Sequence, residues 1–114
     1  MDPVADAQRA VCRQYGVPFR PPAADQLCAT SAGVFDGDPV QGVRYAAPDH
    51  MSGWYLTTGR YDGDHRSLVV EHVSHVVERR PDIAPFLALP PGFRFDVSSV
   101  SAEAWYDEDV ARAQ

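Results

Sequence analysis

The 114-residue sequence has no lysine and no asparagine, and all ten of its basic side chains are arginine. Arginine here fills surface positions that lysine ordinarily holds, so a single arginine carries little functional weight. Cysteine is scarce as well: Cys12 and Cys28 are the whole complement and form no C-x-x-C pair. That argues against a disulfide framework or a thiol metal knuckle, and both read as buried small apolar residues. No apolar run approaches the roughly 20 residues of a membrane span. The N-terminal stretch, with Asp2 and Asp6, has no signal-type apolar core, so the expected setting is cytoplasmic. No serine stands in a G-x-S-x-G context, and no glycine-rich loop opens a helix to cradle phosphate. A formal charge of −6 argues against nucleic acid as a direct ligand and is compatible with a basic protein partner.

What is present is the makings of one folded domain, 1–114. Hydrophobic residues make up 45% of the chain, with two tryptophans, five tyrosines and five phenylalanines, enough for a single core. Ten prolines divide it into short elements. The segment Ser52 to Arg60, S-G-W-Y-L-T-T-G-R, organises the rest: an aromatic pair and two threonines between glycines read as a buried central strand.

From the N-terminus, Asp2-Pro3 is a helix start, a capping carboxylate followed by proline at the first helical position. Val4, Val11, Cys12 and Tyr15 then share a face, and Gly16 with Pro18 ends a helix over 3–15. Val17 to Asp25, with Pro18, Pro21 and Pro22, reads as an extended connector anchored by Phe19. Residues 26–35 and 40–46 are expected to form a β-hairpin about the turn Asp36-Gly37-Asp38-Pro39. A loop over 47–51 leads to the central strand, and Asp62-Gly63-Asp64 is a second turn, with Ser67 as a cap. Val69, Val73, Val76 and Val77 recur at helical spacing, with Leu68 to Val70 able to begin as a strand, and Pro81 ends the helix. Asp82 is a candidate cap for a short helix over 83–89. Phe93, Phe95 and Val97 alternate with polar residues as a strand, and Ala104 to Tyr106 form another. The expected fold is α+β: a small, mainly antiparallel sheet of about four to six strands packed with an N-terminal helix and one or two central helices.

The polar residues do not assemble a reaction centre. His72 and His75, with Glu71, Glu78 and the acidic turn nearby, could be drawn as a metal-binding or hydrolytic site. H-x-x-H nevertheless lacks the spacing and glutamate of the zinc-peptidase motif. No catalytic, cofactor-binding or metal-ligating residue is expected, and the chain reads as a non-enzyme. Asp36, Asp38, Asp49, Asp62 and Asp64 all fall in turns, where Asp is common for local hydrogen bonding. They are the candidate partner-binding residues, with Trp105 and Tyr106 as aromatic anchors.

Several segments recur in one order: Q-R-A-V-C-R-Q-Y over 8–15 with Gly16, Pro21-Pro22, Gly42-Val43-Arg44-Tyr45 and Pro48. Ser52-Gly53-Trp54-Tyr55 with Thr58-Gly59, then Val73, His75 and Pro81, follow. Leu87-Ala88-Leu89-Pro90-Pro91-Gly92-Phe93-Arg94-Phe95 and Trp105-Tyr106-Asp107-Glu108 complete the series. In this order and spacing the sequence resembles the immunity protein 33 family. Two positions depart: Gly59-Arg60-Tyr61-Asp62 stands where the family often has a glutamate, and Phe93 where tryptophan is frequent. The resemblance implies a small α+β immunity protein of bacterial polymorphic toxin systems that binds a cognate protein toxin and blocks it. It implies no cofactor and no nucleic-acid or membrane ligand. The alternatives are a metal-binding or hydrolytic enzyme using His72 and His75, or an interaction module outside toxin biology.

Overall fold

The computed structural model describes residues 2–113, and these form a six-stranded sheet with α1 and α2 packed on one face. The strands are β1 (Leu27–Thr30), β2 (Val40–Arg44), β3 (Met51–Thr57), β4 (Val69–His72), β5 (Phe93–Val97) and β6 (Ala102–Tyr106). The helices are α1 (Pro3–Tyr15), α2 (Val73–Arg79) and α3 (Glu108–Arg112), with 3-10 turns at Val34–Asp36, His65–Ser67 and Ala84–Phe86. The sheet order is β4-β1-β3-β2-β5-β6, and β1–β3 is a parallel pair in an otherwise antiparallel sheet. The α+β class, the N-terminal helix and the internal placement of β3 agree with the sequence reading.

The ends of α1 follow from its sequence. The Asp2 carboxylate accepts from the amides of Val4 and Ala5, and Gly16 takes the left-handed conformation (φ 67°), returning its amide to the Arg13 carbonyl. One face then packs along the 84–88 segment, where Gln8 Nε2 donates to the Ala84 carbonyl at 3.1 Å. At its far end, the Tyr15 hydroxyl accepts from the Ala104 amide of β6. The connector after α1 is extended as expected; Phe19 is half-buried, with the Arg9 guanidinium 4.1 Å over its ring.

Between the sheet and the helices lies the core: Trp54, Leu56 and Phe95 from the strands, Val73 and Val76 from α2, Ile83, Leu87 and Leu89 from the proline-rich segment. Trp54 and Phe95 pack ring to ring at 5.1 Å. Phe95 also lies flat on Gly42 of the adjacent strand, where a Cβ would collide with its ring.

Four local expectations are corrected. Residues 26–35 and 40–46 do not pair as a hairpin, because β3 inserts between β1 and β2 and bonds to both. The Asp36-Gly37-Asp38-Pro39 stretch does reverse the chain, but through a 3-10 turn flanked by Gly33 (φ 93°) and Gly37 (φ 87°). Ser67 caps nothing: Asp64 caps the His65–Ser67 turn, and the Ser67 hydroxyl donates to Asp62 and to the Asp64 carbonyl. The helix over 83–89 shortens to Ala84–Phe86 without a side-chain cap, because the Asp82 carboxylate is taken by Arg80 and the Leu87 and Leu89 carbonyls by other side chains. The strand that could begin at Leu68 to Val70 is present but runs on to His72 as β4, so that α2 starts only at Val73 and Val69 is exposed. The short α3, capped by Asp107, adds a helix that the sequence reading had left out.

Candidate functional site

Helices α1 and α2 pack on one face of the sheet, while the other is flanked only by the His65–Ser67 turn and the end of α3 at Ala113. Side chains alternate across the pleat, so β3 sends Trp54 and Leu56 into the core and Tyr55 outward, 36% exposed. The pairing of β3 with β1 is irregular about Gly53 (φ 88°) while the alternation on β3 continues, Met51, Gly53, Tyr55 and Thr57 lining one face. On β1 the partners Leu27 and Ala29 are two residues apart, while on β3 Met51 and Tyr55 are four apart. A Cβ on Gly53 would strike the Tyr45 carbonyl, to which this part of β3 is closely apposed.

Across the open face the register sets Trp105, Arg94, Val43, Tyr55, Ala29 and Val70 side by side on successive strands. A groove of about 460 Å³ runs over β3, lined by Val43, Tyr45, Met51, Tyr55, Tyr61 and Leu68 among others. Tyr45 and Tyr55 meet edge to face at 5.5 Å. Burial, then the nearby carboxylates of Asp62 and Asp64, raise the Tyr61 phenol above its ordinary pKa. His65 also lines the groove.

The opposite face is a framework of buried cations satisfied by main chain. Arg44, almost fully buried, donates through Nε to the Ser52 carbonyl (2.9 Å) and through Nη1 to the carbonyls of Arg20 (2.6 Å), Leu87 (3.3 Å) and Leu89 (2.8 Å). Burial, with Arg20 nearby, pulls its pKa down to about 10. Trp54 Nε1 donates to the same Leu87 carbonyl at 2.9 Å. Arg80 likewise reaches the carbonyls of Val34 and Asp38 and pairs with Asp82 at 2.8 Å.

The acidic turns occupy two places. Because β1 and β3 run parallel and β2 antiparallel to both, Asp36 and Asp38 before β2 and Asp62 and Asp64 after β3 lie at one end of the sheet. Asp49, between β2 and β3, lies at the other end, where β6 also finishes with Trp105 and Tyr106. Arg60 pairs with both Asp36 (3.4 Å) and Asp38 (2.8 Å), and Arg66 pairs with Asp64 (3.0 Å). Hydrogen bonding to these guanidinium groups holds the Asp38 and Asp64 carboxyls below the usual range. Among the described residues Asp49 and Asp62 form no ion pair. Trp105 stands on the open face; Tyr106 turns the other way, against Phe93 and over Gly92, and keeps half its surface exposed.

His72 and His75 stack edge to face at 5.4 Å, and His75 Nδ1 meets Glu71 at 3.2 Å. Among the described residues no group of three His, Cys, Asp or Glu side chains gathers as a metal site. Nor is a helix there long and apolar enough to cross a membrane. The serine hydroxyls that hydrogen-bond do so with main-chain amides and carbonyls, Asp62, Cys28 or another serine. The sequence reading treated Trp54 and Tyr55 as one buried pair and so missed the tyrosine groove. Strict alternation from Trp54 would have sent Tyr55 outward, and the same count along β2 sends Tyr45 to that face.

Compared with known proteins, residues 7–107 match a family model described as an Imm33-like domain. No curated protein and no solved structure matches the chain.

Proposed function

The chain belongs to the Imm33-like family, whose model spans residues 7–107, and from that premise we propose that it is an immunity protein, a single 1–114 domain that binds a cognate protein toxin and holds it inactive in the cytoplasm. The family match carries the reading. The architecture supports it: one sheet face is devoted to a core, and the other offers an open aromatic surface, as a stoichiometric inhibitor requires. Inhibition is by occupancy, without catalysis and without a cofactor.

The acidic turns contribute to encounter. Asp62 and Asp49 form no ion pair among the described residues, while Asp36, Asp38 and Asp64 are partly neutralised by Arg60 and Arg66. Against a basic toxin, a chain of charge −6 gains association rate and partner selection more than affinity. Trp105 and Tyr106 supply aromatic contact at the Asp49 end.

The test is to co-express the chain with the toxin encoded by an adjacent gene and to measure binding of the purified pair at two salt concentrations. Rescue of growth, a one-to-one complex and an association rate that falls steeply with salt are expected. Failure of both rescue and binding removes the immunity function. Binding indifferent to salt and to the Asp62→Arg change removes the electrostatic part.

A further inference from the structure

Three tyrosines, from β3, the end of β2 and the loop after β3, face one groove on the sheet face opposite α1 and α2, bordered by the His65–Ser67 turn and by Ala113 at the end of α3. The groove follows β3 from Pro48 and Met51 to Thr57, Tyr61 and Leu68, a strand length of about 20 Å. Its lining is mostly apolar, and its two ends run into acidic turns: Asp49 follows Pro48 at one end, and Asp62 and Asp64 follow Tyr61 at the other. Apart from His65, the lining holds no basic side chain among the described residues. Arg94, one register position beyond Val43, is paired with Asp107, and Arg66 with Asp64.

We propose that this groove is the docking site for a basic segment of the protein partner, seating an arginine or lysine side chain against Tyr45, Tyr55 and Tyr61 between the acidic ends. The chemistry is that of a cation on electron-rich ring faces, strongest where water is excluded. The aliphatic stem of the same side chain covers Val43 and Met51. The occupant is committed by charge: a groove of tyrosines bounded by Asp49 and Asp62, in a chain of net charge −6, complements a cation and repels an acidic segment. The proposal rests on the reading that the chain binds a protein partner, and it assigns to the open face what the acidic turns alone lack, a desolvated place for the basic residue to go.

Two measurements separate this proposal from the function itself. The first is an amide-shift titration of the full chain with the peptide Gly-Arg-Leu-Arg-Gly and with its citrulline counterpart, uncharged but of the same shape. Shifts centred on residues 43–45, 51–57 and 61 are expected, with the citrulline peptide binding at least about tenfold more weakly. Tyr55→Thr, which keeps a strand-forming residue, should lose the response, and Tyr55→Phe should retain it. Equal binding of the two peptides, or shifts confined to the Asp36–Asp38 turn, overturns the proposal. The second is the toxin assay with Tyr55→Thr. Unchanged protection and affinity overturn the groove while leaving the immunity function standing; absence of protection by the parent chain removes that function, and the peptide titration still decides the groove. Sedimentation of the chain alone that reveals a dimer abolished by Tyr55→Thr would assign the face to self-association, and that also overturns the proposal.

Discussion

Trp54 and Tyr55 are neighbours in sequence and opposites in surroundings. Trp54 is fully buried, packed on Phe95, with its indole N–H on the Leu87 carbonyl; Tyr55 stands 36% exposed over a groove. The same contrast extends across the sheet. On the covered face even the cations are structural, Arg44 and Arg80 clamping main-chain carbonyls of the irregular segments beneath the helices. On the open face the aromatic groups have few polar obligations and are free to meet another molecule. If the open face is the binding surface proposed above, stability and recognition fall on opposite sides of single strands, and substitutions one residue apart should separate them.

The largest effect is expected from Trp54→Ala, which empties the centre of the covered face and should cost about 3–5 kcal/mol. Thermal or urea unfolding measures it, and a variant melting within a few degrees of the parent would remove the core role of the indole. Next comes Arg44→Met, which keeps the length of the side chain but leaves carbonyls of Ser52, Arg20 and Leu89 without their donor. A loss of about 3 kcal/mol is expected, read from urea midpoints; an unchanged midpoint would show that the clamp is dispensable.

A smaller effect tests the Arg80 clamp through pH. Hydrogen bonding to Arg80 holds the Asp82 carboxyl below its ordinary pKa. The folded-state value is thus depressed, so the stabilisation is complete above the unfolded carboxylate pKa of about 4 and fades as pH falls through the lowered value. Asp82→Asn should flatten the acid limb of the stability profile; a profile identical to the parent's would exclude the contribution. Smallest of all is the expected change in folding from Tyr55→Thr, within about 1 kcal/mol. A melting curve like the parent's, together with lost partner binding, would place the two functions on opposite faces. A large loss of stability would show that the open face also supports the fold.

Local signals were legible where one segment determines its own structure. Asp2-Pro3 and Gly16 fixed α1 at both ends, and the Phe93-Phe95-Val97 alternation fixed β5, since caps and pleats are decided by adjacent residues. The hairpin expected of residues 26–46 failed because Asp36-Gly37-Asp38-Pro39 encodes a reversal of direction and carries no information on which strand becomes the neighbour. Buried on both sides by β3 and β4, the small residues Cys28 and Ala29 suit an interior strand, but only tertiary pairing says whose. The candidate site was legible in composition and not in arrangement. Asp36, Asp38, Asp62 and Asp64 share one end of the sheet and Asp49 the other, a division that depends on strand direction. The groove between them follows from the pairing of β3 with its neighbours.

That insertion of β3 between β1 and β2 bears on how the protein is made. As the chain leaves the ribosome, β1 emerges with no strand to join, and β2 cannot serve as its partner. Neither can be zipped into a sheet until residues 51–57 have followed. The face of α1 that carries Gln8 and Cys12 waits longer still, for Ala84 and Ala88. With contacts this distant in sequence, folding is delayed toward the end of synthesis and is slow relative to a helical bundle of equal length. A nascent chain halted before Phe95 would leave the Trp54 indole without its ring partner and the Gly42 surface uncovered, an unfinished sheet of the kind that chaperones hold and proteases remove.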